Sequence, residues 1–377
     1  MKIYVVKRGD NVDSIAEEFG IPVEKLIMDN QILYPYRLAV GQAILITNNP
    51  NIKEKPFLHV NGYAYPFISS DTLDITLPFL TDLSVFSYGF TEEGELIPPL
   101  LDDEWMIKKA REAGVRPILT LTPLGEDGRF NNNLISVLVQ NPGVQERLIW
   151  ELGRMVFEKG FGGVDVDFEY VLAEDRINFA GFVKRLTQVM NLFGYQVSVA
   201  LAPKTSEEQR GVLYEGIDYQ LLGEAANRVL LMTYEWGYTY GPPMAVAPIN
   251  MVRRVVEYAL TKIPKEKIGL GIPNYGYDWP LPFVRGETKA TTISNREAVQ
   301  IAIDHGVTIY FDEIAMSPYF HYWQYGIEHE VWFEDVRSMM AKFDLIKEYG
   351  LSGAGYWQIM QLFLANWLLL EDTFTIL

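Results

Sequence analysis

The chain reads as an α/β protein: a (β/α)8 barrel with a small α+β insertion between its seventh and eighth strands, preceded by a small βααβ domain. Three observations predict it. Short apolar stretches alternate with helical periodicities across about 320 residues, the size of such a barrel. A surplus of chain, residues 277 to about 332, sits ahead of the last stretch. The first 48 residues carry a separate pattern, closed by the polar Asn48-Asn49-Pro50-Asn51. An open doubly wound sheet shares the alternation and is the competing architecture. The expected division is 1–48, a linker at 49–54, and 55–377.

In the small domain, Tyr4-Val5-Val6 is a strand and Gly9-Asp10-Asn11 a turn, with Asp10 or Asn11 able to cap a helix. Val12, Ile15, Ala16 and Phe19 follow helical spacing, and Gly20 is a natural stop. A second helix carries Val23, Leu26 and Ile27, and residues 38–46 return as a strand. Barrel strands are expected at 58–65, 83–90, 117–122, 164–169, 196–202, 229–235, 268–273 and 353–358. Helical patterns at 104–113, 144–159, 176–193, 249–262 and 333–349 lie between them. Within the surplus segment, a helix at 296–305 accompanies strand-like runs, one holding Tyr319-Phe320-His321-Tyr322-Trp323.

Composition narrows the classes. Thirty-two Lys and Arg against 49 Asp and Glu leave a formal charge of −17, which opposes nonspecific binding to nucleic acid or anionic membrane. With no cysteine, disulfides, thiol nucleophiles and Cys-ligated zinc are excluded. Met1–Asp10 turns charged too soon for a signal peptide, so synthesis in the cytoplasm is expected.

The fourth expected strand carries the chemistry. Val164, Val166 and Phe168 alternate with Asp165, Asp167 and Glu169, so three carboxyls share one face at roughly 6.6 Å intervals. On a solvated sheet edge that would be ordinary. Between two helices the strand belongs to a covered parallel sheet, where crowding and desolvation raise at least one pKa and leave a general acid. Catalytic groups of a barrel gather at the C-terminal ends of its strands. Those ends here offer Tyr63 and Tyr65, Tyr234, Glu235 and Trp236, Asn274 and Tyr275, and Trp357. Acids among aromatic rings suit carbohydrate, with core packing the plainer reading for Tyr65 and Tyr356. Asp167 and Glu169 lie side by side, so they are poorly placed to flank opposite faces of a sugar. The nucleophile is then expected from elsewhere, such as a 2-acetamido group of the substrate.

Gly162–Glu169, Met232-Thr233-Tyr234-Glu235 and Trp357 together resemble glycoside hydrolase family 18, the chitinase-like family, over about residues 55–377. Two positions depart from the family pattern. Gly162 stands at the first acid of Asp-x-x-Asp-x-Asp-x-Glu, and Glu235 at the Asp of Met-x-Tyr-Asp. The resemblance implies that Glu169 is the acid, then the base, of a substrate-assisted hydrolysis. It implies that Asp167 orients the acetamido group, Asp165 supports Asp167, and Tyr234 donates to the acetamido oxygen. Glu235 and Trp357 would contact the sugar, and Tyr63, Trp236, Asn274 and Tyr275 would complete the substrate-binding set.

The Gly-Asp turn, the Ile15-Ala16 helix and the Leu38-x-x-Gly41-Gln42 strand entry resemble the LysM domain. That implies binding of N-acetylglucosamine glycans, peptidoglycan or chitin, between Gly9-Asp10-Asn11 and Ile32-Leu33. A ligand-free structural cap is the alternative. The two modules, with residues 232–242, 271–279 and 329–335, are similar to the cortex-lytic N-acetylglucosaminidases of spore-forming bacteria. This implies a peptidoglycan substrate, a role in germination, and residence in the spore's outer layers. Hydrolysis of chitin, or glycan binding without catalysis, are the other readings. No metal or cofactor is expected. His59, His305, His321 and His329 lack metal-site spacing, and Gly269-x-Gly271-x-x-Asn274 lacks the last glycine of a dinucleotide motif.

Overall fold

A computed structural model describes residues 1–48 and 54–377, so the expected linker lies, but for Glu54, outside the described residues. Eight parallel strands close on themselves in the order Phe57–Ala64, Asp82–Phe90, Arg116–Leu121, Gly163–Val166, Gln196–Leu201, Arg228–Leu231, Ile268–Pro273 and Gly353–Trp357. Helices lie between them in sequence, among them Pro142–Lys159 and Arg176–Leu192 on either side of the fourth strand. This is the TIM-barrel arrangement; the open sheet is excluded by the pairing of the first strand with both the second and the eighth.

The alternation in the fourth strand separates two environments. Val164 and Val166 are fully buried in the main apolar core. Phe168 stacks on Phe179 and Phe182 of the following helix at 5.7 and 6.2 Å, a burial that contributes about 2 kcal/mol. Asp165, one residue out of phase, points into the barrel and joins Ser198 of the adjacent fifth strand and Tyr63 of the first strand across the interior. The expected strand ends are corrected at two places. Pairing stops at Val166 and at Leu231, so Glu169 and Glu235 lie on the loops that leave the barrel top. The chain turns there through left-handed backbone, φ +56° at Tyr170 and +66° at Glu235. Side chains other than glycine adopt that region at a cost, which is common where function fixes a loop.

The insertion is a five-stranded antiparallel sheet, with Gly276–Pro280, Thr291–Ile293, Tyr310–Asp312, Ser317–Gln324 and Ile327–Trp332, and a helix, Asn295–His305. Its first two strands were not foreseen. In the N-terminal domain, Lys2–Val5 pairs antiparallel with Ala43–Ile46, around helices Val12–Phe19 and Val23–Asp29. Asn11 caps the first helix through Ser14, and Gly20 ends it at φ +63°. The returning strand is shorter than the expected 38–46. Gly41, at φ +85°, turns the chain against the insertion, and a Cβ there would lie 1.9 Å from the carbonyl oxygen of Ile309. The domain is docked: Ile309 N–H donates to the Val40 carbonyl at 2.9 Å, and Leu364 N–H to the Gln31 side chain at 2.8 Å. No helix among the described residues is long and apolar enough to cross a membrane.

Candidate active site

At the C-terminal end of the barrel the acids form a column of decreasing enclosure. Asp165 is fully buried, accepting hydrogen bonds from Tyr63 Oη at 2.8 Å and Ser198 Oγ at 2.5 Å. Burial raises its pKa, and those two hydroxyls pull the other way. Asp167 comes next. Its pKa is pushed far up by burial first, then by the charges of Glu169 and Asp165. Its Oδ1 is buried with no hydrogen-bond partner among the described residues. Glu169 sits outermost, its pKa raised by burial and then by Glu235. It opens into a cleft lined by Phe86, Pro123, Phe130, Asn132 and Tyr170 as well as Asp167.

The loop after the sixth strand faces this column. The Tyr234 hydroxyl is raised far above an ordinary phenol by burial, then by Asp167, Glu169 and Glu235, so it stays a hydrogen-bond donor at any working pH. Glu235 stands at the open mouth, yet its carboxylate is hemmed in: Tyr275 and Tyr277 both donate to Oε1, the latter at 2.9 Å. Burial raises its pKa despite those donors. Trp357 makes the floor, with Phe86 at 4.8 Å, Tyr63 at 5.9 Å and Tyr65 at 6.2 Å between ring centres.

The structure thus brings together Asp165, Asp167, Glu169, Tyr234, Glu235, Tyr275 and Trp357. Several expected sugar contacts are corrected. Tyr63 is buried beneath the acids, and its hydroxyl is spent on Asp165. Asn274 is buried and clamps loops: its amide donates to the carbonyls of Gln358 and Gln361 at 3.0 and 2.8 Å. Trp236 packs against the main core. In the N-terminal domain, Asp10 accepts from Tyr4 Oη and Lys7 N–H, both at 2.7 Å, and Asn11 is committed to its cap. Ile32 is core, whereas Leu33 is exposed; both line a crevice shared with the insertion and barrel rather than an open groove. Gly9, at φ +97°, serves the turn.

Sequence reasoning missed Tyr277, Ser198, Phe86, Phe130, Asn132 and Tyr170. The spacing of Tyr275 and Tyr277, two apart on extended chain, was the one signal available. The departure at Gly162 has a steric account. A Cβ there would lie 2.2 Å from Cγ of Arg116, whose stem occupies the place of the missing acid.

Residues 124–361 match the family model for glycosyl hydrolases family 18, and residues 4–47 match the LysM domain. The chain is 38% identical to the cortical fragment-lytic enzyme of Bacillus subtilis (strain 168), over all of this chain and 99% of that one. The chain belongs to glycosyl hydrolase family 18. Its family-18 barrel is that of a glycosidase. The crystal structure of the Bacillus megaterium QM B1551 spore cortex-lytic enzyme SleL superimposes with a TM-score of 0.93 at 34% identity, covering 100% of this chain and 98% of that one. A chitinase from Chromobacterium violaceum, 22% identical with a TM-score of 0.77 over 84% of this chain and 98% of its own, shares the fold.

Proposed function

We propose that this family-18 glycosidase is a retaining, substrate-assisted N-acetylglucosaminidase acting on peptidoglycan, on cortex fragments released during spore germination. The observation that carries the mechanism is the orphaned Oδ1 of Asp167, buried between Asp165 and Glu169. Leaving a buried acceptor unpaired costs about 1–3 kcal/mol, which a donor on the substrate recovers. An acetamido N–H placed there turns its carbonyl oxygen toward the anomeric carbon, and the Tyr234 hydroxyl donates to that oxygen. Glu169 gives its proton to the glycosidic oxygen as the carbonyl oxygen attacks C1, the C1–O bond breaks, and a cyclic oxazolinium forms beside Asp167. The Glu169 carboxylate then takes a proton from water, which opens the ring at C1 with net retention.

The substrate assignment rests on the relatives. The similar proteins of Bacillus subtilis and Bacillus megaterium are described as cortical fragment-lytic and cortex-lytic, and both the LysM domain and the barrel suit N-acetylglucosamine glycans. On this reading the protein acts in the outer layers of the spore, at the boundary of coat and cortex.

The test is Glu169→Gln, offered cortex fragments, intact cortex and chitin oligomers beside the parent. The rate is expected to fall by about 10²–10⁴ with glycan binding kept. The first product of the parent is expected to keep the anomeric configuration by NMR. Inversion, or full activity of the variant, would refute the mechanism. Faster cleavage of chitin oligomers than of cortex fragments would refute the substrate.

A further inference from the structure

The reaction occupies the C-terminal end of the barrel, and a second cavity opens at the other end. Strands around the ring line it, with His59 on the first, Asp82 on the second, Arg116 on the third, Gln196 on the fifth, Arg228 on the sixth and Lys267 just ahead of the seventh. Tyr63 and Ser198, the two donors to Asp165, form its roof, so the cavity stops beneath the acid column. The space is that of about four waters, enough for one small ion and too little for a sugar.

Charge in this cavity does not balance. Arg116, Arg228 and Lys267 are cations, and Asp82 is the one carboxylate lining it among the described residues. Asp82 is already taken by Nε and Nη2 of Arg116 and by His59. Lys267 gives two of its three hydrogens to the carbonyls of Gly223 and Ala226, both at 2.8 Å. The half-buried Arg228 guanidinium has no hydrogen-bond acceptor among the described residues. Burial lowers its pKa, Asp82 pulls it back up, and Arg116 pushes it down again. Register aims it inward, because Arg228 pairs with Ser198, whose hydroxyl reaches Asp165 inside the barrel.

A guanidinium drawn out of water without an acceptor costs free energy that an anion recovers. Arg116 and Arg228 stand on facing sides of the ring, third and sixth of eight strands, so their donors converge on one ion from two directions. That suits a tetrahedral oxyanion, whereas a planar carboxylate is satisfied by a single guanidinium fork. We propose that the N-terminal mouth of the barrel is an anion site, in which Arg228, Arg116 and Lys267 hold one small oxyanion of the phosphate class. The ion ties three strands together at the end of the barrel away from the reaction.

The test is a calorimetric titration of inorganic phosphate into the full chain at fixed ionic strength and neutral pH. One phosphate per chain is expected to bind saturably. Arg228→Gln should weaken it by about tenfold to a hundredfold, the worth of a hydrogen bond to a charged group. In buffer without phosphate the same variant should melt no lower than the parent, since it removes an unpaired, half-buried cation. Phosphate also stabilises proteins by exclusion from their surface, an effect that does not saturate and that both forms share. Arg8→Gln, at an exposed arginine of the N-terminal domain, should bind like the parent. Arginine modification by phenylglyoxal, mapped by mass spectrometry, needs no variant: phosphate should protect Arg228 and leave Arg8 reactive. No saturable binding by the parent, equal binding by Arg228→Gln, or an unprotected Arg228 would overturn the site. Acetate bound as tightly as phosphate would overturn the tetrahedral class.

Discussion

The two ends of the barrel interior treat buried acids in opposite ways. At the N-terminal end, Asp82 receives Arg116 Nε at 2.8 Å, Arg116 Nη2 at 3.0 Å and His59 Nε2 at 2.8 Å. Burial alone would raise its pKa, and these partners override it, so the carboxyl sits below its ordinary value. At the C-terminal end, no basic side chain pairs with Asp165, Asp167, Glu169 or Glu235 among the described residues, and all four are raised. An acid supplied with cations holds strands together. An acid deprived of them keeps or exchanges a proton, and that separates function from scaffold within one set of strands.

The sharpest way to break this contrast is to remove one charged group at each end, the acid above and the cation below. Glu169→Gln should remove about 3–5 kcal/mol of transition-state stabilisation with little effect on melting. Arg116→Met should do the reverse, costing about 2 kcal/mol in denaturant unfolding by leaving Asp82 short of a partner, with kcat nearly kept. A large loss of kcat in Arg116→Met would mean that the lower end also serves the reaction.

A subtler pair concerns pH. The Asp167 carboxyl holds its proton more tightly folded than unfolded. Its contribution to stability is full below about pH 4, the unfolded aspartate value, and is lost as pH rises through the folded pKa. Asp167→Asn should therefore melt above the parent by a margin that widens with rising pH. Asp82 is lowered, so its contribution is present above the unfolded value and lost as pH falls; the penalty of Asp82→Asn should shrink toward acid. Margins that ignore pH would dissolve the comparison. The smallest effect is expected from Glu235→Gln. Removing that charge lets the pKa of Glu169 fall, so the alkaline limb of kcat/KM should move to lower pH. A shift to higher pH would contradict the coupling.

Much of this was legible in the chain. The two-residue period at 164–169 placed valines and phenylalanine outward and acids inward, because a covered strand has only two faces. The β/α alternation allowed a closed barrel or an open sheet, which the pairing of the first strand with the eighth decided, and Gly20 marked the end of the first helix, whose cap, Asp10 or Asn11, fell to Asn11. Legibility ended where partners come from distant sequence. Asn274 looked available for sugar, yet the Gln358 and Gln361 carbonyls, 84 and 87 residues on, take its donors. Tyr63 looked like a cleft wall until Asp165 claimed its hydroxyl from 102 residues away.

The sequence by itself determined which side chains are acids, rings and turn-formers, and which face of each element they share, since that follows from local backbone period. Only the tertiary structure decided which acids meet a cation and which meet one another. Desolvation and charge act through space, and the packing of neighbouring strands brings Arg116 onto Asp82, while the insertion brings Tyr277 onto Glu235.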